Sequence, residues 1–243
     1  MKKIVFTFGR FNPPTTGHHL LANKVKEEAK KRSADHIIYG SSSQDKKKNP
    51  LSPTDKFRFM KKILKGFNVN VDRNAKTPFI VLQKLSDQGY NDVTMVVGAD
   101  RVSEFKRQIS KYVGPDKNFK FSNFEVISAG GRDPDAEGVE GMSASKMRAA
   151  AAEGNFTTFK LGIPSHVSDT DAVGLFKAVR KGMGIRGKIQ ESTWFEYDEF
   201  VDFVNKIELN ELSAQARRKM SLRMKRTAKK RARVRKRKEK RRK

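Results

Sequence analysis

KKIVFTFGRFNPPTTGH, residues 2–18, is the stretch on which the reading of this chain turns. Lys2–Phe8 is β-branched and aromatic and reads as a buried strand. Gly9 ends it, Asn12-Pro13-Pro14 makes a stiff turn, and a helical pattern begins near Gly17 and continues to Arg32. The same alternation is repeated downstream. Asp35–Gly40 (DHIIYG) is a second strand. Ser52-Pro53 opens a helix that runs to about Lys65, with Ser as the cap, Pro at the first helical position and Asp55 in the first turn. Thr77-Pro78 repeats the device for a helix ending near Gly89, Asp92–Val97 (DVTMVV) is the most strand-like run in the chain, and Phe121–Ser128 is a further strand. After Arg148 the pattern is helical, with helices expected over Asp171–Lys181 and Asp198–Ile207. Strands alternating with helices predict an α/β fold with right-handed crossovers and a doubly wound, mostly parallel sheet. Ligands in such sheets bind outside the carboxyl ends of the strands. Three loops rich in small and polar residues fall there: Gly9–Gly17, Gly98–Asp100 and Ala129–Ser145.

Composition divides the chain unevenly. Ser213–Lys243 holds 18 Lys or Arg and one acid, Glu239, a net of +17 out of +26, which leaves +9 for residues 1–212. The expected organisation is a sheet domain over residues 1–165, a helical C-terminal extension over 166–212 and a polybasic tail over 213–243. The tail has too little apolar content to bury a core, and its Ala, Lys and Arg favour helix once charge is neutralised. It suits nonspecific contact with nucleic-acid phosphates, without aromatics for base stacking; a merely solvated tail is the alternative, and an acidic membrane surface ranks last. There are no cysteines, which excludes disulfides, thiolate catalysis and Cys-ligated zinc and fits a reducing compartment. The N-terminal apolar run is too short for a signal peptide, no window approaches a membrane span, and a cytoplasmic protein is expected.

Two segments carry the chemistry. In Gly9–His18 (GRFNPPTTGH), Gly9 permits close approach of backbone to a ligand, the helix N-terminus can face an anion, and His18 sits in the first turn as a donor to developing charge. In Met142–Arg148 (MSASKMR), which starts an Ala-rich helix, Ser143 is the expected N-cap. Ser145, Lys146 and Arg148 fall in the first turns, where the helix dipole favours anions, and Arg148 can grip phosphate oxygens in a bidentate fork.

Together these segments resemble the two signatures of the HxGH nucleotidyltransferases. The first is Gly, an aromatic, Asp or Asn, Pro, His or Thr, any residue, Gly, His; the second is Ile-Ser-Ser-Thr-x-Ile-Arg. Thr15 stands where the first signature often has His, as it tends to in phosphopantetheine adenylyltransferases. Gly9-Arg10-Phe11, Gly98-Ala99-Asp100 and Gly40–Ser43 with Asn49–Ser52 are similar to archaeal-type nicotinamide-mononucleotide (NMN) adenylyltransferases. The resemblance spans residues 1 to about 165 and implies a Rossmann-like fold. It also implies an enzyme that moves a nucleoside monophosphate from ATP or CTP to a phosphorylated acceptor. AMP transfer to NMN, part of NAD biosynthesis, is the first choice and a cytidylyltransferase the second. By the same resemblance His18, Thr15 and Arg148 are catalytic. Phe8, Gly9, Arg10, Phe11, Asn12, Gly17, Met142, Ser143, Ser145 and Lys146 surround the nucleotide. Gly98, Asp100, Ser41 and either Lys56 or Arg58 face the acceptor. Magnesium is expected to arrive with the nucleotide, keeping most of its waters, with no dedicated protein metal site.

Other patterns are weaker. Class I aminoacyl-tRNA synthetases share the HxGH idea with a Lys-Met-Ser-Lys-Ser signature, but the second segment ends in Arg at Ser-x-x-Arg spacing, and no room remains for a tRNA-reading domain. Gly182–Gly187 fits G-x-G-x-x-G but follows a helix rather than a strand, so it reads as a helix stop and loop. His19 faces differently from His18 and is expected to be structural or exposed. A contrasting class is an inactive nucleotide fold that binds nucleic acid through the tail.

Overall fold

Five strands form one parallel sheet: β1 (Lys3–Gly9), β2 (Asp35–Gly40), β3 (Val69–Asn70), β4 (Asp92–Val97) and β5 (Asn123–Ser128), in the order β3-β2-β1-β4-β5. The computed structural model of the chain describes residues 1–70, 72, 74–114, 116–130 and 142–185, all within one unit that spans Met1–Gln190. The helix expected over Asp198–Ile207 and the tail over 213–243 lie outside the described residues.

β1 is central because its side chains are apolar on both faces. Ile4 and Phe6 enter one core and Val5 the other. Such a strand has to be covered twice. On Val5's side lie α1 (Thr16–Arg32), α2 (Pro53–Ile63), α5 (Ala144–Glu153), α6 (Phe156–Lys160) and α7 (Asp169–Gly182), packed with Ile38 and Val96. On the other side α3 (Pro78–Asp87) and α4 (Val102–Ile109) cover Ile4, Phe6, Tyr39, Val93, Met95 and Val97. This is a Rossmann-like doubly wound α/β fold. Ala172, Leu175, Phe176 and Val179 of α7 belong to the same core as α1, α2 and α5.

The strand order places the site. From β1 the chain winds to β2 and β3 on one side, then crosses to β4 and β5 on the other. The β1–β2 ladder continues to Gly9–Gly40 and β4–β5 to Val97–Ser128, whereas β1–β4 ends at Phe6–Met95. The two central strands therefore part at their carboxyl ends, and that fork is the topological switch point where open α/β sheets take ligands.

The strands and the long helices follow the sequence closely. The two-residue β3 has no counterpart in the sequence reading, and the short α4 and α6 are given no bounds there. β3 is too short for alternation to register, and α4 starts without a side-chain cap.

Candidate functional site

The chain leaves β1 through a turn in which Gly9 is closely packed: a Cβ there would stand 3.0 Å from the Phe11 ring. Phe11 adopts φ 45°, which folds its ring back into the core, 4.6 Å from the His18 ring. Arg10 is consequently exposed, and Phe8 is half-buried at the strand end. Asn12 points its side chain across to the loop before α2. Its Oδ1 accepts the Leu51 N–H at 2.9 Å, and its Nδ2 reaches the Leu51 carbonyl at 3.5 Å. What Asn12 offers a ligand is therefore backbone, while its side chain fixes the neighbouring loop.

Helix α1 begins in a reciprocal cap. Thr15 is the N-cap, 1% exposed, and its Oγ1 accepts the His18 N–H. The Thr15 N–H in turn donates to His18 Nδ1 at 3.0 Å, with Thr15 Oγ1 2.9 Å from the same nitrogen. Histidine thus takes the place that Glu or Gln occupies in the usual capping box. The chemical consequence concerns the proton. A backbone N–H can only donate, so Nδ1 carries a lone pair, and in the neutral ring the proton resides on Nε2. His18 is set up as an Nε2–H donor at the helix N-terminus. Threonine in place of the signature's first histidine is what builds this cap. Gly17 meets only Thr15 Oγ1, at 3.6 Å from an added Cβ, so the protein itself does not demand glycine there. Its small size keeps the space over the helix N-terminus clear.

The second segment meets the first across 136 residues. Ser143 caps α5 by accepting the Lys146 N–H at 3.0 Å. Arg148, half-buried, donates through one nitrogen to the Asn12 carbonyl at 2.8 Å and through the other to Ser145 Oγ at 3.0 Å. Burial, and then the like charge of Arg10, lower its pKa from the ordinary arginine value, though a guanidinium stays protonated. Neither Arg10 nor Arg148 has an ion-pair partner among the described residues. Two like charges near each other, with Arg148 in the first turns of α5, are an arrangement that favours an anion. Ser145 and Lys146 lie exposed at its edge. Met142 instead enters the core beside Met147, where both press on Gly162, so its contribution to a ligand is limited to backbone.

On the other side of β1, the Ser41 N–H donates to the Gly9 carbonyl at 2.8 Å. Lys56, fully buried, donates to the Ser41 carbonyl and, at 3.2 Å, to that of Ser43. Burial pushes its pKa down to about 8, against a weaker pull upward from Asp45. Arg58 is exposed, donates to Asp55 at 2.8 Å and lies over Phe59. Of the two alternatives, Lys56 is therefore the one brought to the strand ends. At the end of β4, Gly98 is followed by one turn of 3-10 helix, and a Cβ on it would stand 2.7 Å from Asp100 Oδ1. Asp100 itself is largely exposed, with Arg101 at 3.5 Å.

The sequence reading passed over the turn Asp45–Asn49. Asp45 accepts the N–H groups of Lys47 and Lys48 at 2.9 and 2.6 Å, and Asp45 and Asn49 pair through their backbones. The three-lysine run was the available signal. His19 packs edge-on against Phe67 and 5.1 Å from His166. Burial, and then His166, hold its pKa below the ordinary histidine value. Gly182 closes α7 against the Pro50 carbonyl, where a side chain would collide. Among the described residues no three His, Cys, Asp or Glu side chains converge as metal ligands, and no helix is long and apolar enough to cross a membrane.

A family model described as cytidylyltransferase-like matches residues 6–150. No curated protein matches the chain. Among solved structures, a Vibrio parahaemolyticus protein described as a nicotinate-nucleotide adenylyltransferase is 19% identical, with 72% of this chain and 99% of that one covered, at TM-score 0.45. A Plasmodium falciparum nicotinic acid mononucleotide adenylyltransferase complexed with NaAD is 11% identical, with 74% and 96% covered, at 0.44. Thermotoga maritima TmcAL bound with alpha-thio ATP is 13% identical, with 76% and 56% covered, at 0.43.

Proposed function

Since the chain belongs to the cytidylyltransferase-like family and is a nucleotidyltransferase, we propose that it transfers AMP from ATP to a phosphorylated small acceptor, with NMN as first choice, and releases pyrophosphate. The observation that carries this reading is the junction of the two segments. Arg148 of the second bonds the Asn12 carbonyl of the first, which puts its guanidinium, Arg10 and the two helix N-termini on one side of the β1–β4 fork.

In this reading the nucleotide triphosphate lies over the N-termini of α1 and α5. An acceptor phosphate, ionised at neutral pH, attacks the α-phosphorus in line, and the bond to the β-phosphate oxygen breaks. No general base is needed, so the protein's work is positioning and charge stabilisation. His18 donates from Nε2 to the α-phosphate as its oxygens gain charge, and Thr15 holds the ring in place. Arg148, Ser145, Lys146 and the free amides of α5 hold the departing pyrophosphate. Lys56 stiffens the Ser41–Ser43 wall of the acceptor side, with Gly98 and Asp100 opposite. Magnesium would enter with the triphosphate and keep most of its waters. NMN is favoured by the Gly98-Ala99-Asp100 and Asn49–Ser52 segments.

The test is pyrophosphate release from ATP and CTP against a panel of phosphorylated acceptors. ATP with NMN should turn over, and His18→Ala should lower kcat at least ~100-fold, as loss of one transition-state donor does. Turnover with CTP alone would move the reading to a cytidylyltransferase. A His18→Ala enzyme with near-normal kcat would remove the phosphate-site assignment.

A further inference from the structure

The site has a rim whose charge the small-substrate reading does not use. Asp45–Asn49 is a closed turn: the Asp45 N–H donates to the Asn49 carbonyl at 2.9 Å, and Asn49 returns the bond at 3.3 Å. The Asp45 carboxylate accepts the Lys47 and Lys48 N–H groups and the Asn49 amide inside the turn. It therefore braces the backbone instead of pairing with the ammonium groups. Lys46, Lys47 and Lys48 are all exposed, and none has an ion-pair partner among the described residues.

Both ends of this turn are fastened to the site. Before it, the Ser41 and Ser43 carbonyls are held by buried Lys56; after it, Leu51 is clasped by Asn12. The result is a run of three exposed lysines on a turn whose two ends are anchored next to the site. None of these three lysines is used by the nucleotide and acceptor contacts assigned above. A surface of this kind is matched by phosphates that continue outward from the reacting one. The +17 of Ser213–Lys243 repeats the same chemistry elsewhere in the sequence.

Resting on the nucleotidyl-transfer reading, we propose that the acceptor phosphate can be the 5′-terminal phosphate of a nucleic-acid strand, guided into the site by Lys46–Lys48. A non-bridging oxygen of the terminal phosphomonoester forms a bond to the α-phosphorus of the nucleoside triphosphate. The α–β bridging P–O bond breaks, and its electron pair leaves with pyrophosphate. The strand ends in a nucleotide joined through a pyrophosphate linkage. No oxidant is involved, and no proton has to move because the phosphomonoester is ionised at neutral pH.

The experiment incubates the full chain with ATP labelled at the α-phosphate. The acceptors are short single-stranded RNA and DNA with a 5′ phosphate, the same strands with a 5′ hydroxyl, and a mononucleotide panel that includes NMN. Label should enter the 5′-phosphorylated strand and not the 5′-hydroxyl one. Lys46→Gln, Lys47→Gln and Lys48→Gln together should lower kcat/KM on the strand at least ~10-fold. They should also flatten its log–log salt dependence by about 2, from three phosphate contacts at ~0.7 each. Turnover on a mononucleotide should stay within about twofold of the unaltered enzyme. Label on a mononucleotide but never on a strand overturns this inference and leaves the nucleotidyl-transfer reading intact. An equal loss on strand and mononucleotide overturns it as well, because the turn would then serve the small-substrate phosphates. Label on no acceptor at all, from ATP or from CTP labelled in the same way, removes the underlying reading and this inference with it.

Discussion

Thr15→Ala separates the two jobs that the structure gives this residue. As N-cap, its hydroxyl accepts the His18 N–H, and loss of such a cap costs about 1 kcal/mol. The side chain is 1% exposed, so deleting its methyl adds about 0.8 kcal/mol or somewhat more for the cavity. The sum is about 2 kcal/mol. For a folded unit near 190 residues that corresponds to a Tm lower by about 4–8 °C. The catalytic effect should be smaller than for removal of the histidine. The Thr15 backbone N–H still donates to Nδ1 after substitution, so the proton remains on Nε2. Only the hydroxyl 2.9 Å from that nitrogen is lost, and the ring gains freedom on one side. A cost near 1 kcal/mol predicts a kcat lower by about 5–10-fold. Thr15→Ser keeps the hydroxyl, and should lose about 1 kcal/mol of stability while kcat stays within about twofold. Thermal denaturation paired with pyrophosphate-release kinetics on the three proteins reads both effects. A Thr15→Ala enzyme with lowered Tm and unchanged kcat would refute the idea that the cap orients His18. So would a serine variant as slow as the alanine one.

Three further outcomes follow from other parts of the structure. Gly182→Ala drives a Cβ into the Pro50 carbonyl next to the loop that Asn12 clasps; it should cost about 1–3 kcal/mol and lower Tm by several degrees, and an unchanged melting curve would show that this approach is not tight. Lys56 has a folded pKa of about 8 against an ordinary 10.5. Between those values the unfolded chain binds the extra proton, so its contribution to stability rises from pH 8 to 10.5 by at most about 3 kcal/mol. Denaturant midpoints of the unaltered protein and Lys56→Met should therefore converge or cross over that window, and parallel pH profiles would contradict the assignment. Removing residues 213–243 should leave turnover on mononucleotides unchanged and abolish most nonspecific nucleic-acid binding; with about six to ten phosphates neutralised, that binding should fall ~10³–10⁵-fold between about 50 and 200 mM salt, and equal binding by both proteins would place the basic surface in the body.

How much of this was legible beforehand divides by distance along the chain. The strand over 2–8, the proline turn, the capped starts of α2 and α5 and the glycine before the 3-10 turn are set by residues within a few positions of one another. Turn chemistry, caps and apolar runs act at that range, and all of them can be read from the sequence. The resemblance of Gly9–His18 and Met142–Arg148 to two signatures likewise singled out His18, Thr15 and Arg148 as candidates. What the sequence left open, the tertiary structure decided. Lys56 and Arg58 are two positions apart on one helix; only packing shows that the first is buried against the Ser41 and Ser43 carbonyls while the second faces Asp55 and solvent. Asn12 and Met142 sit inside the signatures, yet their side chains serve a loop clasp and the core. The proton on His18 Nε2 follows from one backbone hydrogen bond, and the meeting of the two segments from Arg148 reaching Asn12 across 136 residues. Such contacts depend on how a doubly wound sheet brings the ends of separate strands together. They have no local signature, because the energy that fixes them is burial and pairing between elements that the sequence keeps far apart.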